Sequence, residues 1–399
     1  MLISLLLMDC TGSNAPTEPK VTELTSLQKS LLQSENQFGL KLFQRIAESK
    51  KDSNVFISPL SVSLALGMTL NGANGKTYED MRNTLEFQEL SSQEINESYQ
   101  HILAFMTGID PKVQLQLANS IWCRQGYPVE AAFKEINQKY FSALVSELDF
   151  SQPSAVETMN QWIETNTNGL IKDMLTGPID PLVMLYLINT IYFKGTWTYQ
   201  FDEKSTTDAD FYLENGSKQP CRLMAQTNDF LYFADSKLQI IDLPYGDGPF
   251  SMTIFAPTTQ KIAELVGELT PEKWAQWLGN LQKQKGTLFL PRFKWEYKSL
   301  LNDELKKMGM QIAFSGGADF KRINPGGDLY ISRVLHNSFV EVNEEGTEAA
   351  AATVVELREK SGGNDGFSLR LDRPFIFAIR EKTSGTILFI GQFMMPEMK

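Results

Sequence analysis

The segment "EEGTEAAAATVVELREKSGGNDG", residues 344–366, stands between two apolar stretches that read as core strands, "RVLHNSFVEV" before it and "FSLRLDRPFIFAI" after it. A fold for this chain must hold both strands and still accommodate a long insert of small residues between them. Alternation is the informative test. Thr347, Ala349, Ala351, Thr353, Val355 and Leu357 occupy the odd positions, and none is charged. Glu348, Glu356 and Arg358 fall on the even positions, with Ala350, Ala352 and Val354. A strand sends alternate side chains to opposite faces, so one face of this segment suits burial and the other suits water. Alanine is a poor strand former, and the surrounding glycines and charges favour an exposed loop. Small side chains would nevertheless let such a strand enter a crowded sheet without overpacking it, and Gly346 tolerates the dihedrals of a hinge. Pattern alone leaves both readings open: an ordinary flexible loop, or a strand held outside its sheet.

The rest of the chain is ample for a large core, with 399 residues of which 42% are hydrophobic. Such a length would ordinarily be divided among domains. Yet no Pro/Gly/Ser-rich linker or internal repeat interrupts residues 25–399, which predicts one large domain. "SLQKSLLQSENQFGLKLFQRIAES" carries apolar residues at helical recurrence. A second helix is predicted at "SPLSVSLALGMTL", where Ser58 can cap and Pro59 suits the first helical position. A third, "SAVETMNQWIETNTNGLI", should stop near Gly169. "LVMLYLINTIYFKGTW" (182–197) is almost wholly apolar, as for a strand covered on both faces. "QIIDLPYGDGPFSMTIFAP" reads as two strands joined by a turn, and "GTLFLPRFKWEY" alternates before the helix "LLNDELKKMGM". Helices early and strands late, without regular alternation, indicate an α+β fold.

Charge and composition narrow the function classes. A net charge of −11 disfavours nucleic acid and anionic membrane as partners. Cys10, Cys123 and Cys221 match no zinc spacing, so no metal site is expected; a Cys123–Cys221 bridge and buried free thiols both remain open. "MLISLLLMDC" is too short to span a bilayer. It resembles the end of a bacterial lipoprotein signal with Cys10 as the lipid-bearing residue, although Asp9 stands where a small residue is expected and no basic region precedes the apolar run. Residues 1–10 then read as a truncated signal and 11–24 as a disordered polar tether, which predicts an extracytoplasmic protein, secreted or held at the cell surface. Catalysis is poorly supported. Only His101 and His336 could serve as the base of a nucleophilic triad, no G-x-S-x-G elbow is present, and neither phosphate- nor dinucleotide-binding glycine motifs occur. The expectation is a non-enzyme without a cofactor.

A series of blocks in a fixed order now decides between the readings of 344–366. "NVFISPLSVSLALGMTLNGANGKT" (54–77), "ANSIW" (118–122), "MNQWIETNTNGLI" (159–171), "LINTIYFKGTW" (187–197), "LPYGDGPFSMTIFAP" (243–257), "LPRFKWEY" (290–297), "HNSFVEVNEEGTEAAAAT" (336–353) and "RPFIFAI" (373–379) each resemble a block of the serpin family. The resemblance runs from about residue 26 to the end. It implies a serpin fold: three β-sheets with a large central one, eight to nine helices, and an exposed reactive-centre loop at 344–366.

The resemblance also implies a function. A serine or cysteine protease would attack the loop, and the cut loop would enter the main sheet while the protease remains bound as an acyl-enzyme. Glu344, Gly346, Thr347, Glu348, Ala349, Ala350, Ala351 and Ala352 match the hinge of inhibitory members. In those members the cut bond usually follows the fourteenth residue beyond the hinge glycine, which is Lys360–Ser361 here; Arg358–Glu359 is the alternative. Lys360 suits a trypsin-like protease, whereas Val355 or Leu357 would suit an elastase- or cathepsin-like one. His336 matches the family's histidine beneath the sheet opening, with Asn189, Ser58 and Ser61 as its expected partners. Trp197 and Phe201 match the region where the loop first enters, although plain core aromatics read equally well. The expected partner is the target protease, and the protein is expected to be a monomer. The alternative is a non-inhibitory serpin acting as a binding or chaperone-like protein.

Overall fold

The computed structural model describes residues 23–347 and 366–396. The Cys10 signal, nearly all of the 11–24 tether, hinge residues Glu348 and Ala349 to Ala352, and both candidate bonds, Arg358–Glu359 and Lys360–Ser361, lie outside the described residues.

Local chemistry sets the helix starts. Thr25 caps the helix Ser26–Ser49 through a reciprocal box with Gln28, and its apolar stripe, including Leu31, Leu32, Phe38, Leu42, Phe43 and Ile46, is buried. Ser58 caps the helix Pro59–Leu70 by accepting the Ser61 N–H at 3.2 Å, and almost every residue of that helix is buried. The helix Pro153–Asn166 ends ahead of Gly169, whose φ of +81° fits the turn beyond it. The helix predicted at "LLNDELKKMGM" forms only over Asn302–Leu305 and a further turn at Lys306–Met310, which Gly309 breaks at φ +125°.

Two ladders organise the strands. The six-stranded sheet runs, in spatial order, Phe293–Leu300, Leu335–Val342, Gly346–Thr347, Leu185–Thr196, Val113–Arg124 and Leu144–Leu148. The nine-stranded sheet runs from Val55–Ile57 through Ile387–Phe393, Phe375–Glu381, Phe250–Pro257, Leu238–Tyr245, Lys218–Ala234 and Gln282–Pro291 to Phe367–Arg370, with Thr207–Tyr212 alongside Lys218–Ala234. The long strand Lys218–Ala234 joins two lobes of that ladder. It pairs with Thr207–Tyr212 and Gln282–Pro291 along most of its length, and its last four residues pair with Gln239 to Asp242. The second and third sheets expected from the resemblance are therefore continuous here. The alternating stretch "GTLFLPRFKWEY" is divided between the two sheets at Arg292, next to Pro291, which has no N–H to extend a ladder.

The near-continuous apolar strand Leu185–Thr196 has its physical reason. The buried helix Pro59–Leu70 packs against it, and the helix Pro153–Asn166 packs against it too, where Met159, Ile163, Trp122 and Ile188 share a small cluster. A much larger cluster, to which the Pro59–Leu70 helix also contributes, fills the space between the other helices and both sheets. Cys123 and Cys221 are buried free thiols.

One buried acid makes this core respond to pH. Glu35, on the first helix, is enclosed where the Pro59–Leu70 and Ser92–Met106 helices meet it. Its Oε1 accepts from Ser63 Oγ at 2.8 Å, Ser63 Oγ lies 2.5 Å from the Tyr99 hydroxyl, and Oε2 is buried without a hydrogen-bond partner. Burial raises its pKa to about 7, against the opposing effect of the Ser63 and Tyr99 hydrogen bonds. The native state therefore holds this proton up to about pH 7, while the unfolded chain releases it near 4.5. The resulting stability is fully present below the lower value and is lost as pH rises through the higher one, on the order of 3 kcal/mol in all. Glu35→Gln should therefore gain on the wild type in thermal melts as pH is raised from 5 to 8. Parallel curves for the two proteins would show that Glu35 does not titrate in this window.

Candidate functional site

Residues 343–347 fold into a turn that returns the chain into the sheet it has just left. The Asn343 side-chain Oδ1 accepts the N–H groups of Glu345 at 3.0 Å and Gly346 at 3.1 Å, and the Asn343 N–H donates to Gly346 O at 3.0 Å. Thr347 then pairs with Val342 on one side and with Gly195 on the other, and Gly346 pairs with Thr196. The two-residue strand Gly346–Thr347 is thus laddered on both flanks. Glycine is required at 346 by contact: a Cβ there would lie 2.1 Å from Gly195 O and 2.8 Å from Thr196 Cα. Both obstacles are backbone, so neither can swing aside.

A polar and aromatic frame holds this turn. Glu344 is only 4% exposed; its Oε1 accepts from Thr206 Oγ1 at 2.7 Å and its Oε2 lies 3.4 Å from Arg292 Nε. The Trp197 indole donates to Asn343 O at 3.0 Å, the Trp197 amide to Glu345 O at 2.8 Å, and the Phe201 amide to Glu344 O at 2.9 Å. Trp197 stacks on Tyr245 with centroids 4.3 Å apart, and the buried Tyr245 hydroxyl lies 2.6 Å from Thr347 Oγ1. Backbone carbonyls in the turn, a buried carboxylate and a hydroxyl are therefore all satisfied, as buried polar groups must be.

Below this point the sheet changes character. The strand Leu335–Val342 is laddered along its whole length to Phe293–Leu300, and Leu185–Thr196 is laddered nearly throughout to Val113–Arg124. Towards each other these two strands have no ladder among the described residues beyond Gly346–Thr347. Between their lower halves is a cavity of about 540 Å³ whose lining includes Ser61, Leu66, Leu187, Asn189, Leu335 and His336. His336 is buried and its Nε2 accepts the Ser58 N–H at 3.1 Å, so the ring is neutral with its proton on Nδ1. Burial lowers its pKa to about 4. Ser338 Oγ donates to Phe56 O at 2.5 Å, a second tie from the same strand to the segment leading into the Pro59–Leu70 helix.

Of the residues expected around His336, Ser58 supplies its backbone N–H, and Ser61 bonds to Ser58 Oγ instead of to the imidazole. Asn189 corrects the expectation. Its amide donates across the neighbouring ladder to Asn119 Oδ1 at 2.7 Å, and its own Oδ1 is buried without a partner. The physical reason is the missing ladder: Asn189 and His336 sit on strands that are not paired to each other. His101 is an exposed residue of the Ser92–Met106 helix, with Nδ1 2.7 Å from Glu97 O. Among the described residues no cluster of His, Cys, Asp and Glu could hold a metal ion, and no helix is long and apolar enough to cross a membrane. Sequence reasoning missed Thr206, Tyr245, Arg292 and Asn343. Asn343, Tyr245 and Arg292 lie inside quoted blocks, but nothing in their spacing points to the turn.

Among the described residues, the two central strands are thus joined only at their upper end, by the short strand Gly346–Thr347. Gly346→Ala should break that join. Overpacking against immovable backbone is expected to cost about 1–3 kcal/mol, read as a lower urea midpoint. An unchanged midpoint would mean that the Gly346–Thr347 strand contributes nothing to the native state.

Comparisons with known proteins fit this geometry. The serpin (serine protease inhibitor) family profile matches residues 33–396. The human leukocyte elastase inhibitor is 34% identical over 382 residues, covering 92% of this chain and 100% of that protein. Among solved structures, human thyroxine-binding globulin superposes with a TM-score of 0.86 at 26% identity, covering 94% of this chain and 100% of that one. The native state of tengpin, a thermophilic serpin, gives 0.83 at 29% identity, covering 94% of this chain and 95% of that one. With the family profile spanning nearly the whole chain, relatives matched over almost their full length and the same fold in solved structures, this protein belongs to the serpin family.

Proposed function

We propose that this serpin is a suicide-substrate inhibitor of serine endopeptidases, with cysteine endopeptidases as a second target class. One observation carries the reading: Gly346 and Thr347 already lie as a strand between Leu335–Val342 and Leu185–Thr196, antiparallel to both. Thr347 is 3% exposed, and it begins the charge-free parity that runs through Ala349, Ala351 and Thr353. Continuation of the strand in that register would keep small, uncharged side chains on the buried face.

The chemistry follows from a cut in segment 348–365. The protease nucleophile attacks the carbonyl carbon at Lys360, or at Arg358 in the alternative register. The C–N bond to the next residue breaks, the amine leaves with a proton from the protease's catalytic acid, and an acyl-enzyme ester remains. A loop freed at one end can extend the Gly346–Thr347 strand. About 15 residues at ~3.3 Å each would carry the tethered protease on the order of 50 Å. New backbone hydrogen bonds on both flanks, at roughly 1 kcal/mol net each, would release on the order of 10 kcal/mol, comparable with the stability of a whole domain. The cut frees the loop to reach that lower state, which a barrier keeps from the intact protein, so the intact protein is metastable.

Lys360 favours a trypsin-like target, and the likeness to the leukocyte elastase inhibitor keeps an elastase-like target in the reading. A binding role without inhibition is the second reading, supported by the structural likeness to thyroxine-binding globulin. Export to the cell surface, with lipid on Cys10, belongs to the proposal as well.

Incubation with trypsin at equimolar ratio, and in a parallel reaction with elastase, tests the function. The expected result is a covalent complex stable on a denaturing gel, with a released C-terminal peptide that starts at Ser361. Complete cleavage with fully active trypsin and active elastase left over would favour the binding reading. A second test concerns His336. His336→Ala leaves the buried Ser58 N–H unpaired, at a cost of about 1–3 kcal/mol, and loosens the floor of the sheet opening. Inhibitory activity is expected to decay faster on incubation at 37 °C in this variant; an unaltered half-life would count against a gating role.

A further inference from the structure

The Tyr245 hydroxyl is held at the mouth of the sheet by contacts from several sides. Tyr245 ends the strand Leu238–Tyr245, which belongs to the nine-stranded sheet, yet its ring is fully buried against the six-stranded one. Its backbone is fixed from both sides. It forms an isolated bridge with Trp197, the Thr198 N–H donates to Pro244 O at 2.9 Å, and the Gly246 N–H donates to Thr196 O at 2.8 Å. The ring lies between the stacked Trp197 and the edge of Phe193, with centroids 4.3 and 5.1 Å away. Gly195 makes room for it: a Cβ there would sit 2.8 Å from the tyrosine ring and 2.9 Å from Phe193. This packing aims the hydroxyl at Thr347 Oγ1, 2.6 Å away, the side chain of the second residue of the Gly346–Thr347 strand.

We propose that Tyr245 is a positioning residue for loop insertion: its hydroxyl seats Thr347, so that the strand to be extended already has its register when the loop is cut. This rests on the insertion mechanism proposed above. The seat matters because insertion competes with hydrolysis of the acyl-enzyme. An insertion rate scales with the fraction of molecules whose first residues are already in place, as any process requiring a competent conformer does. A hinge residue that must find its register after the cut gives water time to release the protease. The hydroxyl comes from the other sheet, so it is independent of the Leu335–Val342 strand that must move away from Leu185–Thr196. Glu344, Asn343 and Trp197 hold the turn before the loop, whereas Tyr245 holds the side chain from which the strand grows.

Tyr245→Phe removes only the hydroxyl and keeps the ring packing. With trypsin, the number of inhibitor molecules consumed per protease inactivated is expected to rise, its excess over one growing by up to about fivefold, the factor associated with losing one ordinary hydrogen bond. The rate at which trypsin attacks the loop should stay the same, because the cut lies far along the chain from the seat. Thr347→Val, which has the shape of threonine without the hydroxyl, should match Tyr245→Phe. The double variant should be no worse than either single one, and Thr347→Ser should restore the wild-type stoichiometry. A purely structural role would lower melting temperatures without moving the stoichiometry. Unchanged stoichiometry in Tyr245→Phe, or additive losses in the double variant, would overturn the seat. Wild-type protein cut in its loop separates this from failure of the mechanism: if its melting temperature does not rise, the loop does not insert, and the seat falls together with the insertion reading.

Discussion

Backbone groups on the facing edges of Leu185–Thr196 and Leu335–Val342 are the constraint from which the rest of this structure follows. Each strand is fully laddered on its outer flank and joined to the other only through Gly346–Thr347 among the described residues. Strand edges inside a sheet are an expensive arrangement, because N–H and C=O groups removed from water need partners. In the proposed mechanism such edges hold free energy in reserve, and a strand of the right composition would release it. The helices Pro59–Leu70 and Pro153–Asn166 pack against this sheet and hold its strands together.

The control of that reserve is divided between the two ends of the opening. At the upper end, Asn343 reverses the chain, Glu344 is clasped by Thr206 and Arg292, and Gly346 lies against the Gly195 carbonyl where no side chain fits. At the lower end, His336 ties its strand to Ser58 through a neutral imidazole that burial keeps from protonating until about pH 4. Protonation would remove the acceptor for the Ser58 N–H and place a charge in the core. The stability His336 lends is therefore intact above its unfolded value near 6.5 and is lost as pH falls towards 4. Glu35 acts in the opposite sense, since its contribution fades as pH rises through about 7. Between about pH 4.5 and 6.5 the two effects oppose each other and largely cancel.

Much of this was legible in the residues, and the misses have a common cause. Helix starts are written locally: Ser58 with Pro59 gives one boundary, and the recurrence of Leu31, Phe38, Leu42 and Ile46 gives another. The charge-free parity beginning at Thr347 is also local, and Thr347 is buried as that parity requires. Contacts between distant residues left no comparable trace. Tyr245 meets Thr347, and Arg292 meets Glu344, only because the two sheets are brought together by the fold. Asn189 was assigned to His336 by resemblance, but the unladdered edge turns its amide to Asn119. Similarly, "GTLFLPRFKWEY" alternates throughout, and alternation cannot reveal that its two halves serve different sheets.

Amide hydrogen exchange followed by mass spectrometry, on the intact protein and on protein cut once in its loop, tests the central claim most directly. If the facing edges await a strand, peptides covering 185–196 and 335–342 should exchange readily in the intact protein and become strongly protected after the cut. Peptides from 113–124 and 293–300, laddered to the outer flanks, should change far less. Equal protection of 185–196 and 335–342 before and after cleavage would contradict the account, because it would mean that no strand enters between them.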